Sequence, residues 1–315
     1  MREAEIDLLC SQLASYYVFP DVAEDIAKAL RARLTEGAYS DVDDEAFAAL
    51  VTADLQSVNG DKHLRLLHSV DEIPETEQES AWDPAAYRVE AELDAFGITK
   101  VERLKGNVGL LNLRLLHDAD VATPAVIAAM NLIAHTDALI IDLRTNGGGD
   151  PNTVALICSY LFDERVHLND IYNRPDDTTE QYWTLPHVPG PRFGGTKPIY
   201  VLTSARTFSG AEELSYNLQQ NKRATLIGET TRGGAHPGDR YRVGPHLKSS
   251  IPNGRAINPI SGTNWEGVGV VPHIEAPADE AFDLAYRLAL EHILTLGSDG
   301  PRRTIAEAAA EALKS

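Results

Sequence analysis

With 315 residues, 43% of them hydrophobic, the chain is long enough to bury a sizeable core in one large domain or two smaller ones. Its 28 basic and 47 acidic residues leave a net charge of −19, a surface that repels phosphate backbones and anionic membranes, so neither nucleic acid nor a membrane is an expected partner. The two cysteines, Cys10 and Cys158, lie in apolar patterns and make neither a disulfide framework nor a zinc site.

The chain opens with three amphipathic helical patterns. Ile6, Leu9, Cys10, Leu13 and Tyr17 follow helical spacing. Val22, Ile26, Leu30 and Leu34 form a second stripe, opened by a cap-like Asp21 with Glu24 and ended at Gly37. Phe47, Leu50, Val51, Leu55 and Val58 form a third, stopped by Asn59-Gly60. Residues 1–60 therefore read as a small helical domain. No signal-peptide pattern and no apolar run of membrane-spanning length accompanies them, and a cytoplasmic location is the expectation. "HLRLLHSV" reads as a strand, and within the mixed, polar stretch 71–105 the segment "IPETEQESAWDP" reads as an exposed loop.

From residue 106 strand and helix patterns alternate. "GNVGLLNLRLL" is a strand, and "TPAVIAAMNLIAH" a helix with Thr123 as cap and Pro124 in its first turn. "ALIIDLR" and "KPIYVLTS" are apolar throughout, as strands covered on both faces are. They are followed by helices at "PNTVALICSYLF" and "AEELSYNLQQN", and "ATLIGET" is a further strand. The succession implies a mostly parallel sheet with right-handed crossovers. Asp170–Gly195, rich in Pro, Gly and Thr, predicts a long loop, whose Tyr182, Trp183 and Phe193 either line an apolar pocket or pin the loop to the core. The expected organisation is residues 1–60, a catalytic α/β domain over 61–278, and helices over 279–315.

Two turns at strand ends carry candidate chemistry. Ser209 stands between "YVLTS" and its helix, and Ser209 with Glu212 matches a capping box. The same position places a hydroxyl at the carboxyl end of a parallel sheet, where α/β clefts lie, beside first-turn amides that favour negative charge. Both readings stay open from pattern alone. As a nucleophile, Ser209 would use the Gly210 N–H as an oxyanion donor. Gly-x-Ser-x-Gly is absent, because Thr207 and Ala211 flank the serine, so the lipase-type elbow is not indicated. "DLRTNGGGDP" is either a flexible turn or a second donor, through Gly147 or Gly148; it lacks the Walker lysine and spacing. No metal motif occurs, and no cofactor is expected.

Taken together, "DLRTNGGG", "TFSGAEE", "GETTRGGA" and "NWEGVGVVPHIE" resemble the catalytic domain of the C-terminal processing (tail-specific) serine peptidases. The similarity is to the branch containing interphotoreceptor retinoid-binding protein, and more distantly to the tricorn core protease. It implies an α/β, Clp/crotonase-like ββα core with an N-terminal helical bundle, and Ser209 as nucleophile. Gly234 stands where Ser-Lys members carry lysine, so the resemblance turns to the tricorn arrangement. There, "NGDKHLRL" puts His63 in the place of the base and "NWEGVGVVP" puts Glu266 in that of the orienting acid. His236 in "GGAHPG" is the rival base, and Glu266 is alternatively an anchor for its own glycine-rich turn. The interval before the core is too short for a PDZ domain. The implied activity is acyl transfer on a peptide, or on a small amide or ester, with an oligomer compatible. The alternative is a non-catalytic carrier of an apolar small molecule on the same scaffold, with Ser209 only a cap.

Overall fold

The computed structural model describes residues 2–75 and 83–314, so residues 76–82, inside the expected exposed loop, lie outside the described residues. In chain order come α1 (Arg2–Tyr16), α2 (Pro20–Thr35), α3 (Asp44–Asn59) and β1 (Arg65–His68). Next are α4 (Pro84–Leu93), β2 (Ile98–Leu104), β3 (Val108–Leu113), α5 (Ala119–Ile133), β4 (Ala138–Asp142) and α6 (Pro151–Ser159). Then follow β5 (His167–Asn173), β6 (Thr178–Trp183), β7 (Ile199–Thr203), α7 (Gly210–Gln220) and β8 (Thr225–Gly228). The chain ends with β9 (Gly238–Gly244), β10 (Leu247–Pro252), β11 (Gly254–Ile257), β12 (Ile274–Glu275), α8 (Ala281–Thr295) and α9 (Arg303–Ala312).

These elements divide into two units. The first comprises Met1–Asp83, Asp170–Glu180 and Gly234–Ile257; the second comprises Pro84–Asn169, Gln181–Gly233 and Asn258–Ser315.

In the first unit the three apolar stripes pack together as expected, apart from Val58 at the end of the third, which is exposed. Ile6, Leu9, Leu13, Ile26, Leu30, Phe47, Val51 and Leu55 are buried in one core. The Asp43 carboxylate accepts the Ala46 N–H at 2.8 Å to open α3. Gly60, at φ 75°, closes α3 in the left-handed conformation that glycine tolerates. The same core takes Tyr241, Val243, Leu247 and Ile251 from the antiparallel sheet β1-β10-β9. Alternation along β9 and β10 turns those residues inward. α2 opens without its expected cap: Phe19 is the N-cap residue and Pro20 takes the first turn, because proline's fixed φ and missing N–H suit that position.

The second unit is built on a six-stranded sheet ordered β12-β8-β7-β4-β3-β2. Strands β12, β8, β7, β4 and β3 are parallel, and β2 runs antiparallel at the edge. All five residues of β4 and all five of β7 are buried, in keeping with their unbroken apolar sequences. Val108, Leu110, Ile140, Leu202 and Ile227 share a core with Ala285, Ala289 and Ile293 of α8. The fold is thus mixed α/β, with a helical N-terminal region and a sheet core.

Three segments differ from the sequence expectation. α5 begins at Ala119, leaving Thr123 and Pro124 inside the helix. The earlier start is secured from outside, since the Asp150 carboxylate accepts the Ala119 N–H at 2.8 Å. The polar stretch before residue 106 contributes α4 and the edge strand β2. Asp170–Gly195, expected to be a loop, contains most of β5 and all of β6, adjacent in one sheet. Thr178, Thr179, Tyr182 and Trp183 favour that extended pairing. The remainder is pinned: the Arg192 guanidinium donates to the Ser159, Phe162, Leu185 and Pro186 carbonyls. Phe193 and Tyr182 are buried, and Trp183 stacks on His167 at 4.2 Å. No helix among the described residues is long and apolar enough to cross a membrane.

Candidate active site

β4 and β7 are hydrogen-bonded neighbours, so the turns after them lie side by side. The Phe208 N–H donates to the Asn146 carbonyl at 3.1 Å, and the Thr207 hydroxyl to the Leu143 carbonyl at 2.8 Å. This brings Gly148 against Ser209 and Gly210. A Cβ added at Gly148 would lie 2.6 Å from Ser209 Cβ, 2.9 Å from Phe208 O and 3.0 Å from Gly210 N. One added at Gly210 would meet Gly149 O at 2.5 Å. Both glycines are therefore required by close backbone approach, and any side chain at 148 would cover the Gly210 amide.

Ser209 occupies the N-cap position of α7 at φ 54°, ψ −124°. An ordinary N-cap serine adopts the extended region at no cost. Positive φ at this ψ costs an L-residue about 1–2 kcal/mol, and such strain collects at functional turns. The strain is held by Glu212, whose buried carboxylate accepts the Ser209 N–H at 2.9 Å on Oε2, and the Thr231 hydroxyl at 2.5 Å and Gly233 N–H at 2.6 Å on Oε1. Thr231 in turn accepts the Val270 N–H at 2.7 Å on its hydroxyl, and Gly233 O accepts the Gly267 N–H at 3.4 Å. The turn bearing Glu266 is thereby linked, through residues 231–233, to the backbone of Ser209. Glu266 itself is half-buried there, its N–H donating to Asn264 Oδ1 at 3.0 Å.

The glycine loop is organised by Asn146, which sequence reasoning passed over. It is fully buried; its Nδ2 donates to Leu113 O at 3.0 Å, and its Oδ1 accepts the Gly148 N–H at 2.8 Å. The Gly147 N–H donates to Arg114 O at 3.2 Å. The Gly148 amide thus has its partner inside the loop and the Gly147 amide on the segment after β3, whereas Gly210 N–H, first in its helix, has no acceptor within α7. One turn along α7, Glu213 is 4% exposed. Burial pushes its carboxyl up to about 8, with the nearby Asn169 and Asn217 amides acting in the opposite direction.

The two candidate bases belong to the first unit, and both are fixed to Asp61. His236 Nδ1 lies 2.9 Å from Asp61 Oδ2, and the His63 backbone N–H donates to Asp61 Oδ1 at 3.0 Å. Asp61, 1% exposed, also accepts the Tyr17 hydroxyl at 3.0 Å. That hydroxyl accepts Asn59 Nδ2 at 2.6 Å. The Phe19 ring meets the buried His236 edge-on at 5.2 Å. The signal for Asp61 was present: aspartate two residues before histidine in "NGDKH" is an Asx-turn pattern. Nothing local announces its pairing with His236. The chain leaves the second unit between Gly233 and Gly234, so the segment "GGAHPG" delivers His236 to the first.

A parallel α/β sheet with a strained serine at a strand–helix turn, facing a glycine loop, defines a hydrolase-like scaffold. A family model described as peptidase family S41 matches residues 107–276, and one described as the N-terminal domain of peptidase S41 in eukaryotic IRBP matches residues 4–95. The chain belongs to peptidase family S41. A curated relative, an uncharacterized protein of Chlamydia muridarum, is 36% identical over 107 residues, covering 33% of this chain and only 18% of that protein. Among solved structures, a putative peptidase from Parabacteroides merdae has a TM-score of 0.62 at 15% identity, covering 94% of this chain and 97% of that one. A lipoprotein from Streptococcus agalactiae has a TM-score of 0.58 at 13% identity, covering 91% and 96%. The tricorn protease has a TM-score of 0.57 at 14% identity, covering 98% of this chain and 36% of that one. These structural similarities establish the fold.

Proposed function

We propose that the protein is a serine peptidase that cleaves peptide bonds, or small amides or esters, through an acyl-enzyme on Ser209. The observation that carries this reading is the Ser209 backbone at φ 54°, ψ −124°, packed against Gly148. A serine serving only as a cap needs no such strain, which is why the carrier reading is not adopted.

In the proposed reaction the Ser209 Oγ attacks the substrate carbonyl carbon as its proton passes to an imidazole. The tetrahedral oxyanion is held by the Gly210 N–H together with a Gly147 or Gly148 amide of the glycine loop, which exchanges its resting acceptor for the oxyanion. One such donor is typically worth about 3 kcal/mol of barrier. Collapse breaks the carbon–nitrogen bond, and the imidazolium gives its proton to the departing amine. Water then attacks the acyl-enzyme by the reverse sequence. The base in this reading is His63, with Glu266 orienting it. His236, whose Nδ1 is already on a carboxylate in the manner of a triad histidine, is the rival.

A fluorophosphonate probe tests the proposal. It should label the protein on Ser209 and leave Ser209→Ala unlabelled. A folded, unlabelled wild-type protein would overturn it. Labelling of His63→Ala and of His236→Ala then assigns the base, because the variant lacking it reacts slowly while the other stays near wild type.

A further inference from the structure

The glycine loop has little stiffness of its own. Gly148 and Gly149 sit at φ 110° and 135°, values open to glycine and to few other residues. Its orientation is therefore imposed from outside, by residues 114–119. Gly147 N–H donates to Arg114 O at 3.2 Å, Leu116 N–H to Gly148 O at 2.8 Å, and Asp150 N–H to Leu116 O at 2.8 Å. Thr153 Oγ1 donates to His117 O at 2.7 Å, and the Asp150 carboxylate accepts the Ala119 N–H at 2.8 Å. Leu116 and Gly149 form a parallel bridge. This segment acts as a rail to which the loop is fastened at Gly147, Gly148 and Asp150.

The rail is in turn gripped from its far side by α4 and the residue after it. His117 is 3% exposed, with Nε2 3.1 Å from Asp94 Oδ2 and Nδ1 3.1 Å from the Tyr87 hydroxyl. The same hydroxyl accepts the Asp118 N–H at 3.0 Å. Arg114 pairs with the other oxygen of Asp94, and its backbone N–H donates to Gly97 O at 2.8 Å. Asp94 thus holds the rail at 114 and 117, and Tyr87 holds it at 117 and 118. An imidazole buried with both nitrogens on side-chain partners is an expensive way to fill space that a leucine would fill. It occurs on the segment that carries the loop facing Ser209.

We propose that His117, Asp94 and Tyr87 are positioning residues: as a clamp on the rail they fix the glycine loop in the orientation that acyl transfer at Ser209 requires. The consequence for reaction rests on the serine peptidase reading; the bracing of the loop does not. None of the three need touch substrate. Loosening the clamp leaves ground-state binding intact and misplaces the donor loop at the moment charge develops.

Two measurements on the full chain test this. Tyr87→Phe removes one oxygen and both of its rail contacts, and His117→Gln keeps a donor toward Asp94 alone. Amide exchange at Leu116 and Asp150 should accelerate about tenfold in Tyr87→Phe, while amides of α8 stay unchanged. In saturation kinetics of labelling by the fluorophosphonate probe, the maximal rate should fall about tenfold with the half-saturating concentration within twofold. His117→Gln should lose less than His117→Ala. Unchanged exchange overturns the proposal, as does faster exchange with an unaltered maximal rate, or an effect on half-saturation alone. If exchange accelerates as expected but the wild-type protein never labels, the bracing stands and the acyl-transfer reading falls.

Discussion

The two units hold their candidate catalytic groups by opposite means. In the second, Ser209 is placed by parts of the chain that meet at one sheet end: a buried strand, a turn at positive φ, a helix whose Glu212 takes the serine N–H, and a glycine loop in backbone contact. In the first, His236 is placed by side chains from distant parts of the chain, with Asp61 joined to Tyr17 across 44 residues and to His236 across 175, and His63 is tied to the same carboxylate through its own N–H. Placement at close-packed turns fails on the loss of a glycine. Side-chain placement fails on the loss of one carboxylate and tolerates backbone change. The nucleophile and the base should therefore respond to different classes of mutation.

The largest effect tests the backbone side of that contrast. Ser209→Ala and Ser209→Gly should both lower kcat by about 10⁴–10⁶. Only the glycine variant relieves the strained φ, so it should unfold at higher denaturant than the alanine variant by about 1 kcal/mol. Equal stability of the two would show that the serine backbone is not strained. Next, the side-chain arrangement is probed by Asp61→Asn, which withdraws the carboxylate from both His236 and His63. It should reduce kcat by about 10²–10⁴, with the thermal midpoint also falling as the buried network opens. Gly148→Ala is expected to cost about 10²–10³ in labelling rate and about 2 kcal/mol in denaturant unfolding. The added Cβ must displace Ser209 or Phe208, and φ 110° is unfavourable for alanine.

The smallest effect is one of pH. Burial raises the Glu213 carboxyl to about 8 from 4.5, so the folded protein keeps a proton that the unfolded chain has released. That contribution to stability is complete below 4.5 and is lost as pH rises through about 8. Glu213→Gln should leave stability unchanged at pH 4.5 and raise it at pH 8.5, as read by urea denaturation at the two pH values. A Gln variant with the wild-type pH slope would show that Glu213 is ionised in the fold.

Much of this architecture was legible in the chain. The stripes from Ile6 to Leu55 became α1–α3, the uninterrupted apolar runs at 138–142 and 199–203 became the buried centre of a parallel sheet, and Ser209 fell at the strand–helix junction that its pattern demanded. Period and turn chemistry are local, and a sheet covered on both faces announces itself by composition. Four short motifs sufficed to indicate the peptidase family to which the chain belongs.

What tertiary structure alone decided is everything that depends on remote partners. β9 and β10 complete a core with helices more than 170 residues earlier, and no period in "YRVGPHLKSSI" says which face they will cover. α5 starts at Ala119 because the Asp150 carboxylate reaches its first amide, overriding the Thr-Pro start signal. Asp61 with His236, and His117 with Asp94 and Tyr87, form only when separate elements pack, since the energy of a buried hydrogen bond depends on the partner that burial supplies and not on the residue's neighbours in the chain.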